Sequence, residues 1–82
     1  MTIPTVISMV ETELLSATKR YGPFRSSHEG YAVIKEELDE LWEEIRKKPY
    51  HRSHTALRKE AIQVAAMAAR FVLDLNEKTG KI

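Results

Sequence analysis

Apolar residues recur at helical spacing in three separate segments of the chain. In the first segment they lie three or four residues apart, at Ile3, Ile7, Val10, Leu14, Ala17 and Tyr21. In the second segment the same spacing runs through Tyr31, Ile34, Leu38, Leu41 and Ile45. Such spacing is typical of one face of an amphipathic helix. The pattern therefore predicts an all-α fold, in which helices over about 3–21 and 27–48 each turn one apolar face toward a core.

The third segment, about 54–77, differs because apolar residues surround most of its circumference. Its main seam consists of Leu57, Ala61, Val64, Ala68, Phe71 and Leu75. The apolar surface is widened on the flanks by Ile62, Ala65, Ala66, Ala69 and Val72. A helix that is apolar on so many sides needs more cover than two partner helices provide. We therefore expect a single helical domain over 1–82, whose three-helix subunits form a helical bundle by oligomerisation.

Capping and helix-breaking residues separate these segments. The candidate N-terminal caps are Thr2 or Thr5, Ser26, and Ser53 or Thr55. Glu29 follows Ser26 at the spacing of a capping box. Gly22 and Pro23 are placed to end the first helix, and Pro49 to end the second. The boundaries therefore agree with the three apolar segments.

Composition narrows the class of protein. The chain has no cysteine, which excludes a disulfide framework and thiolate metal sites. Its net charge of +1 argues against a nucleic-acid partner, because nucleic-acid binders carry a strong basic excess. Glu11 and Glu13 come too early for a signal peptide, and no apolar run reaches the roughly 18 residues of a membrane span. We expect a soluble cytoplasmic protein without a membrane partner.

The charges are segregated along the chain. Most of the twelve acidic residues lie between positions 29 and 44, whereas residues 46–59 carry only basic charge. Glu37, Glu40 and Glu44 form a stripe along one flank of the second helix's apolar face. Carboxylates at this spacing repel one another by a few tenths of a kcal/mol per pair. The stripe is therefore either hydrated or neutralised by a cation.

Glu60 is the other unusual carboxylate, because it falls inside the apolar arc of the third helix. A buried carboxylate is unfavourable unless it is paired, protonated or bound to a metal. One interpretation is that Glu37, Glu40 and Glu60 together bind Mg²⁺ or Mn²⁺, which prefer oxygen ligands. The other is that the stripe is solvated and Glu60 pairs with Arg58, Lys59 or another basic residue. The pattern alone favours the second, because charge runs are usually solvated faces.

Two stretches resemble the MazG-like all-α nucleoside triphosphate pyrophosphohydrolases. That family carries an E-E-x-x-E motif on one helix and E-x-x-D on the next. Residues 36–40, EELDE, contain the first motif in full, and residues 58–67, RKEAIQVAAM, align with the second. Residues 28–33, HEGYAV, are similar to the short phage and bacterial branch of the family. The likeness covers roughly residues 23–75 and favours the metal-binding interpretation.

The resemblance implies a function, a cofactor and a set of site residues. The implied reaction converts a nucleoside or deoxynucleoside triphosphate into the monophosphate and pyrophosphate, with Mg²⁺ as cofactor and Mn²⁺ as a substitute. The implied assembly is a homodimer or a dimer of dimers. The implied site comprises metal ligands Glu37, Glu40, Glu60 and Gln63, catalytic residues Glu36 and Glu37, and substrate-binding residues Lys35, Arg58 and Lys59.

Gln63 departs from the family motif, because it stands where the family has the aspartate of E-x-x-D. A glutamine oxygen can still bind a hard cation, but one negative charge is lost. Asp74 lies about 21 Å farther along the helix and cannot replace that aspartate in the same site. The alternative function is therefore a non-catalytic helical interaction module that kept the fold and lost full metal binding.

Overall fold

The computed structural model describes residues 1–75, which form three α-helices and a short 3₁₀ turn. The helices are α1 (Ile3–Arg20), α2 (Ser27–Ile45) and α3 (His54–Asp74), and the 3₁₀ turn is Pro49–His51. No strand occurs in this part of the chain, so the all-α prediction is confirmed for it. The predicted end of the third helix at residue 77 lies outside the described residues.

Each helix begins at a side-chain cap that the sequence predicts. The hydroxyl oxygens of Thr2, Ser26 and Ser53 each accept a hydrogen bond from the backbone N–H three residues later. The capping box of α2 differs in detail, because the Glu29 carboxylate accepts from the backbone N–H of Arg25, at 2.9 Å, rather than from that of Ser26. These local bonds satisfy N–H groups that have no partner within a helix.

The second helix ends at Ile45, whereas the sequence predicts an end near residue 48. The Arg52 Nε donates to the Ile45 carbonyl at 2.9 Å, which satisfies one of the unpaired carbonyls at the helix end. Pro49 lies beyond this point and opens the 3₁₀ turn. A side chain seven residues downstream thus helps to fix the end of α2, and helix-breaker signals alone do not reveal that contact.

The third helix is the centre of the fold. It packs against both α1 and α2, whereas no Cα atom of α1 lies within 8 Å of one in α2. The small core joins Ala17 of α1 to Ala66 and Met67 of α3, with partly buried Val10, Leu14, Val33 and Ile34 around it. Because α1 and α2 lie on α3 without touching each other's backbone, a cleft remains between them.

The apolar seam that the periodicity predicts for α3 is only partly covered, because Leu57, Val64 and Phe71 are half-buried. Ala61, Ala68 and Leu75 of that seam are exposed. The polar strip of the helix, Glu60, Gln63, Arg70 and Asp74, is also buried or half-buried, together with the apolar Ala66 and Met67 beside it. Helical periodicity identifies residues that share a face, but it does not say which neighbour that face meets.

The predicted apolar faces of α1 and α2 are likewise only partly covered. Tyr31 and Leu38 are 65% and 51% exposed, whereas Ile34 and Leu41 of the same face are half-buried. The large exposed apolar side chains include Ile3, Ile7, Leu15, Tyr21, Tyr31, Leu38, Trp42, Tyr50, Val72 and Leu73. No helix in residues 1–75 combines the length and apolarity that crossing a bilayer requires. The described part of the chain thus leaves many large apolar side chains exposed.

The connection between α1 and α2 is fastened to α3 by buried polar contacts. Arg70 is 5% exposed; it donates to the Gly22 carbonyl, and its guanidinium carbon lies 4.3 Å from the centre of the Phe24 ring. The Asp74 carboxylate accepts from the Phe24 N–H at 2.9 Å and lies 3.7 Å from the Arg70 Nε. This network fixes where α1 ends relative to α2, and so sets the shape of the cleft between them.

Candidate functional site

Three carboxylates converge where α2 faces α3. Glu37 and Glu40 extend from neighbouring positions on α2, and Glu60 extends from α3. One carboxylate oxygen of each residue lies within 4.8 Å of those of the other two. The structure therefore brings together the three residues that the sequence suggests as metal ligands.

Within residues 1–75, Glu60 forms no ion pair with the basic residues that the alternative interpretation requires. Its Oε2 atom is shielded from solvent and finds no hydrogen-bond partner among residues 1–75. The ion pairs formed within this range do not join Glu60 to Arg58 or Lys59. A shielded carboxylate oxygen without a partner is unfavourable, because its desolvation is not compensated. Within residues 1–75, the interpretation that Glu60 pairs with Arg58 or Lys59 is therefore not supported.

The crowding of these carboxylates changes their acid–base behaviour. Burial, followed by the charge of Glu40, raises the pKa of Glu37 to about 7. Burial also raises the pKa of Glu60, and Glu40 adds to that rise, whereas Lys59 opposes it. Each ionised carboxylate therefore destabilises the next, and a divalent cation among them would reverse this effect.

The three carboxylates line one side of an open cavity of about 450 Å³ between the helices. Its polar lining contains Glu13, Arg20, Tyr21, Glu36, Glu37, Glu40, Lys59, Glu60, Gln63 and Arg70. Glu36, Gln63 and Lys59 thus share the cavity with the three carboxylates. The predicted metal ligands, the predicted catalytic residues and Lys59 therefore line one cavity.

Two predicted substrate-binding residues lie outside this cavity. The Lys35 ammonium is on the outer face of α2, where its Nζ donates a hydrogen bond to the Asp39 carboxylate at 2.9 Å. This bond with Asp39 raises the pKa of Lys35. Arg58 is exposed and does not line the cavity. Both residues are adjacent in sequence to site residues, but a shift of one position along a helix turns a side chain by about 100°.

Sequence reasoning missed the contribution of α1 to the cavity. Glu13 within α1, Arg20 in its last turn and Tyr21 at its C-terminal cap also line the cavity. The basic last turn of α1, Lys19 and Arg20, has a simple local explanation at the negative end of the helix dipole. No local signal connects Arg20 with Glu60, because only the packing of α1 on α3 brings them to the same cavity.

The donor set suits a hard divalent cation. Carboxylate oxygens of Glu37, Glu40 and Glu60, together with the amide oxygen of Gln63, are ligands of the type that Mg²⁺ and Mn²⁺ accept. The unpartnered Oε2 of Glu60 is the kind of buried oxygen that such an ion would satisfy. Asp74 is not part of this group, because it is held by Phe24 and Arg70. The residues present therefore fit a magnesium site.

Comparisons with protein-family models, with curated proteins and with solved structures gave no match to this chain.

Proposed function

We propose that the protein is a Mg²⁺-dependent nucleoside triphosphate pyrophosphohydrolase of the MazG-like type. It would convert nucleoside or deoxynucleoside triphosphates into monophosphates and pyrophosphate, a reaction that clears unwanted nucleotides from the cellular pool. The observation that carries the proposal is the unpartnered, shielded oxygen of Glu60 in a group with Glu37 and Glu40. An acidic group that is only solvated would not keep such an oxygen away from water.

In this mechanism Glu37, Glu40 and Glu60 would hold the cation, and Gln63 would add a neutral oxygen. When bound, Mg²⁺ neutralises the charge that develops on the phosphates as pyrophosphate leaves. The five carboxylates that line the cavity, those of Glu13, Glu36, Glu37, Glu40 and Glu60, would repel a free triphosphate. A cation bound at this site would offset that repulsion.

Glu36 has a different role from the three clustered carboxylates. It lines the cavity but does not belong to the group whose oxygens converge. It is therefore available to position a water molecule and to accept its proton. The water oxygen attacks the α-phosphorus, the bond from that phosphorus to the bridging oxygen breaks, and pyrophosphate leaves with that oxygen. Lys59, beside Glu60, contacts a phosphate oxygen.

The metal is tested by thermal unfolding with and without Mg²⁺. A ligand that binds only the folded state stabilises it by about 2.7 kcal/mol at a hundred times its dissociation constant. Millimolar Mg²⁺ should therefore raise the melting temperature of the wild type, and Glu60→Gln should abolish that rise and the release of pyrophosphate. Glu43→Gln is the matched control, because Glu43 lies on the same acidic helix but pairs with Arg46 at the surface.

Gln63→Asp provides a gain-of-function test of the same site. The substitution restores the charge that the family motif has at this position, so Mg²⁺ should bind more tightly than to the wild type. Titration calorimetry measures the difference. A wild type with no Mg²⁺-dependent stabilisation and no hydrolysis of common or modified nucleotides would overturn the proposed function.

A non-catalytic interaction module is the second candidate function. Two observations favour it: the neutral Gln63 in the cavity and the many exposed apolar side chains of the subunit. This candidate predicts stable association without any effect of Mg²⁺ on the melting temperature. If the protein is instead the proposed enzyme, Mg²⁺ should stabilise the associated form. One set of unfolding curves therefore separates the two candidate functions.

A further inference from the structure

The cavity contains three basic residues, which differ in how firmly they are held. Arg70 is buried and committed to Gly22, Asp74 and the Phe24 ring. It cannot turn to a ligand without releasing the connection between α1 and α2. Lys59 lies at an exposed position of α3, next to Glu60. Arg20 is the third, and its environment is different.

The Arg20 guanidinium is presented to the cavity with only weak partners, namely Glu13 and the Tyr21 ring, whose centre lies 5.5 Å from the guanidinium carbon. Its side chain is 57% exposed, and its Nη2 atom lies 3.5 Å from the Glu13 Oε1. Hydrogen bonds between a guanidinium and a carboxylate are usually about 2.7–2.9 Å long, so this pair is loose. The Glu13 side chain is the less exposed of the two, at 22%. The pair therefore leaves most donors of the guanidinium free.

The position of Arg20 complements that of the acidic group. Glu37, Glu40 and Glu60 belong to α2 and α3, whereas Arg20 is at the end of α1 and lines the same cavity. A nucleotide whose cation is held by the carboxylates still carries phosphate charge that the cation does not neutralise. A guanidinium suits such a phosphate, because it can donate two parallel hydrogen bonds to it.

We infer that Arg20 binds a phosphate of the nucleotide and exchanges Glu13 for it when the substrate enters. This inference rests on the proposed function for the identity of the ligand. Glu13 is then a competitor, which occupies the guanidinium in the free protein and gives it up to the phosphate. Glu13 therefore weakens binding of the phosphate, and it does so through Arg20.

The test is a double-mutant cycle with inorganic tripolyphosphate as the probe. Its dissociation constant is measured by calorimetry, with Mg²⁺ and again with a chelator, for the wild type, Arg20→Gln, Glu13→Gln and the double variant. Arg20→Gln should weaken binding about tenfold, as loss of a hydrogen bond between charged groups does. Glu13→Gln should tighten binding in the wild type but leave it unchanged in the Arg20→Gln background.

Lys19→Gln is the matched control, because Lys19 is an exposed base in the same helical turn and does not line the cavity. An effect of Arg20→Gln no larger than that of Lys19→Gln would overturn the inference. So would equal tightening by Glu13→Gln with and without Arg20, since that pattern reports only net charge. A wild type that binds no tripolyphosphate in either condition would overturn it as well.

The same proteins distinguish this inference from the proposed function. If the wild type releases pyrophosphate and Arg20→Gln binds tripolyphosphate as tightly as the wild type does, the proposed enzyme stands and the role of Arg20 is rejected. Tripolyphosphate binding that depends on Arg20, without hydrolysis or any effect of Mg²⁺, would support the anion site and reject the pyrophosphohydrolase. Both measurements use the full chain, and Arg20 is exposed enough for its replacement to leave the fold intact.

Discussion

At the scale of single residues, Glu37 and Glu60 combine poor local stability with a position suited to chemistry. Both lie at half-buried positions where an apolar side chain would pack without a desolvation penalty. Their neighbours are other carboxylates, which raise their pKa values further. Residues that oppose the stability of their own fold are frequent at functional sites, because function needs groups with altered pKa values.

The raised pKa of Glu37 predicts how the stability of the metal-free protein depends on pH. The pKa of this carboxyl rises from its ordinary 4.5 to about 7 in the folded state. The folded protein therefore binds more protons than the unfolded chain between these values, and its free energy of unfolding falls as pH rises. The contribution is fully present below the unfolded-state pKa and is lost as pH rises through about 7.

Thermal unfolding in a chelating buffer tests this dependence. The melting temperature of the wild type should fall as pH is raised from about 5 to about 8. Glu37→Gln should reduce the slope, because glutamine does not titrate, whereas the surface variant Glu43→Gln should keep it. Identical slopes for the wild type and Glu37→Gln would contradict the prediction.

At the scale of helices, Gly30 allows α2 to approach α3 closely. Gly30 is buried, and a Cβ atom added there would lie 2.8 Å from the Phe71 Cε2 and 3.2 Å from the Phe24 Cδ2. Both rings belong to the packing between the helices and the connection that Arg70 fastens. The absence of a side chain at this position therefore sets the distance between the two helices.

Gly30→Ala should destabilise the protein by about 1–3 kcal/mol, the usual cost of overpacking a tight contact. Gly22→Ala is the matched control, because a Cβ atom there would meet nothing within 4 Å. Chemical denaturation measures both. Equal stability of the two variants would mean that the rings move aside without strain.

Two neighbouring alanines of α3 provide a second comparison. Ala66 is 0% exposed and belongs to the core with Ala17 and Met67, whereas Ala65 is exposed. Ala66→Leu should destabilise the subunit by about 1–3 kcal/mol, because the added carbons have no space. Ala65→Leu should have little effect on an isolated subunit. Chemical denaturation measures the stability of both variants. An Ala66→Leu variant as stable as the wild type would contradict the close packing of Ala66 with Ala17 and Met67.

At the scale of the whole molecule, residues 1–75 have more apolar surface than their own core covers. The buried apolar residues are Ala17, Phe24, Ala66 and Met67, which make a small core for a chain of this length. The exposed apolar residues lie on all three helices. Large apolar surfaces of this kind mark interfaces between proteins.

We therefore predict that the protein forms a homodimer or a dimer of dimers. Sedimentation at micromolar concentration should show no stable monomer. Leu38→Lys should weaken the association, because Leu38 is 51% exposed on the apolar face of α2 and a charge there resists burial. Lys35→Gln, on the outer face of the same helix, should not change it. A monomeric wild type would contradict the prediction.

The sequence by itself determined the local features of this protein. Helical periodicity predicted three helices, and the hydroxyls of Thr2, Ser26 and Ser53 fixed where they begin. The motif on α2, together with the position of the Glu60 carboxylate in the apolar arc of α3, identified the three carboxylates that meet. These features could be predicted because they depend on neighbours within a few residues along the chain.

Only the tertiary structure decided which faces meet. It turned the polar strip of α3 inward and left Ala61 and Ala68 of the expected seam exposed. It also brought Arg20 of α1 into the cavity and left Arg58 outside. A helix can present any of its faces to a neighbour, and the choice depends on the summed packing of all three helices. Periodicity within one segment contains no information about that sum.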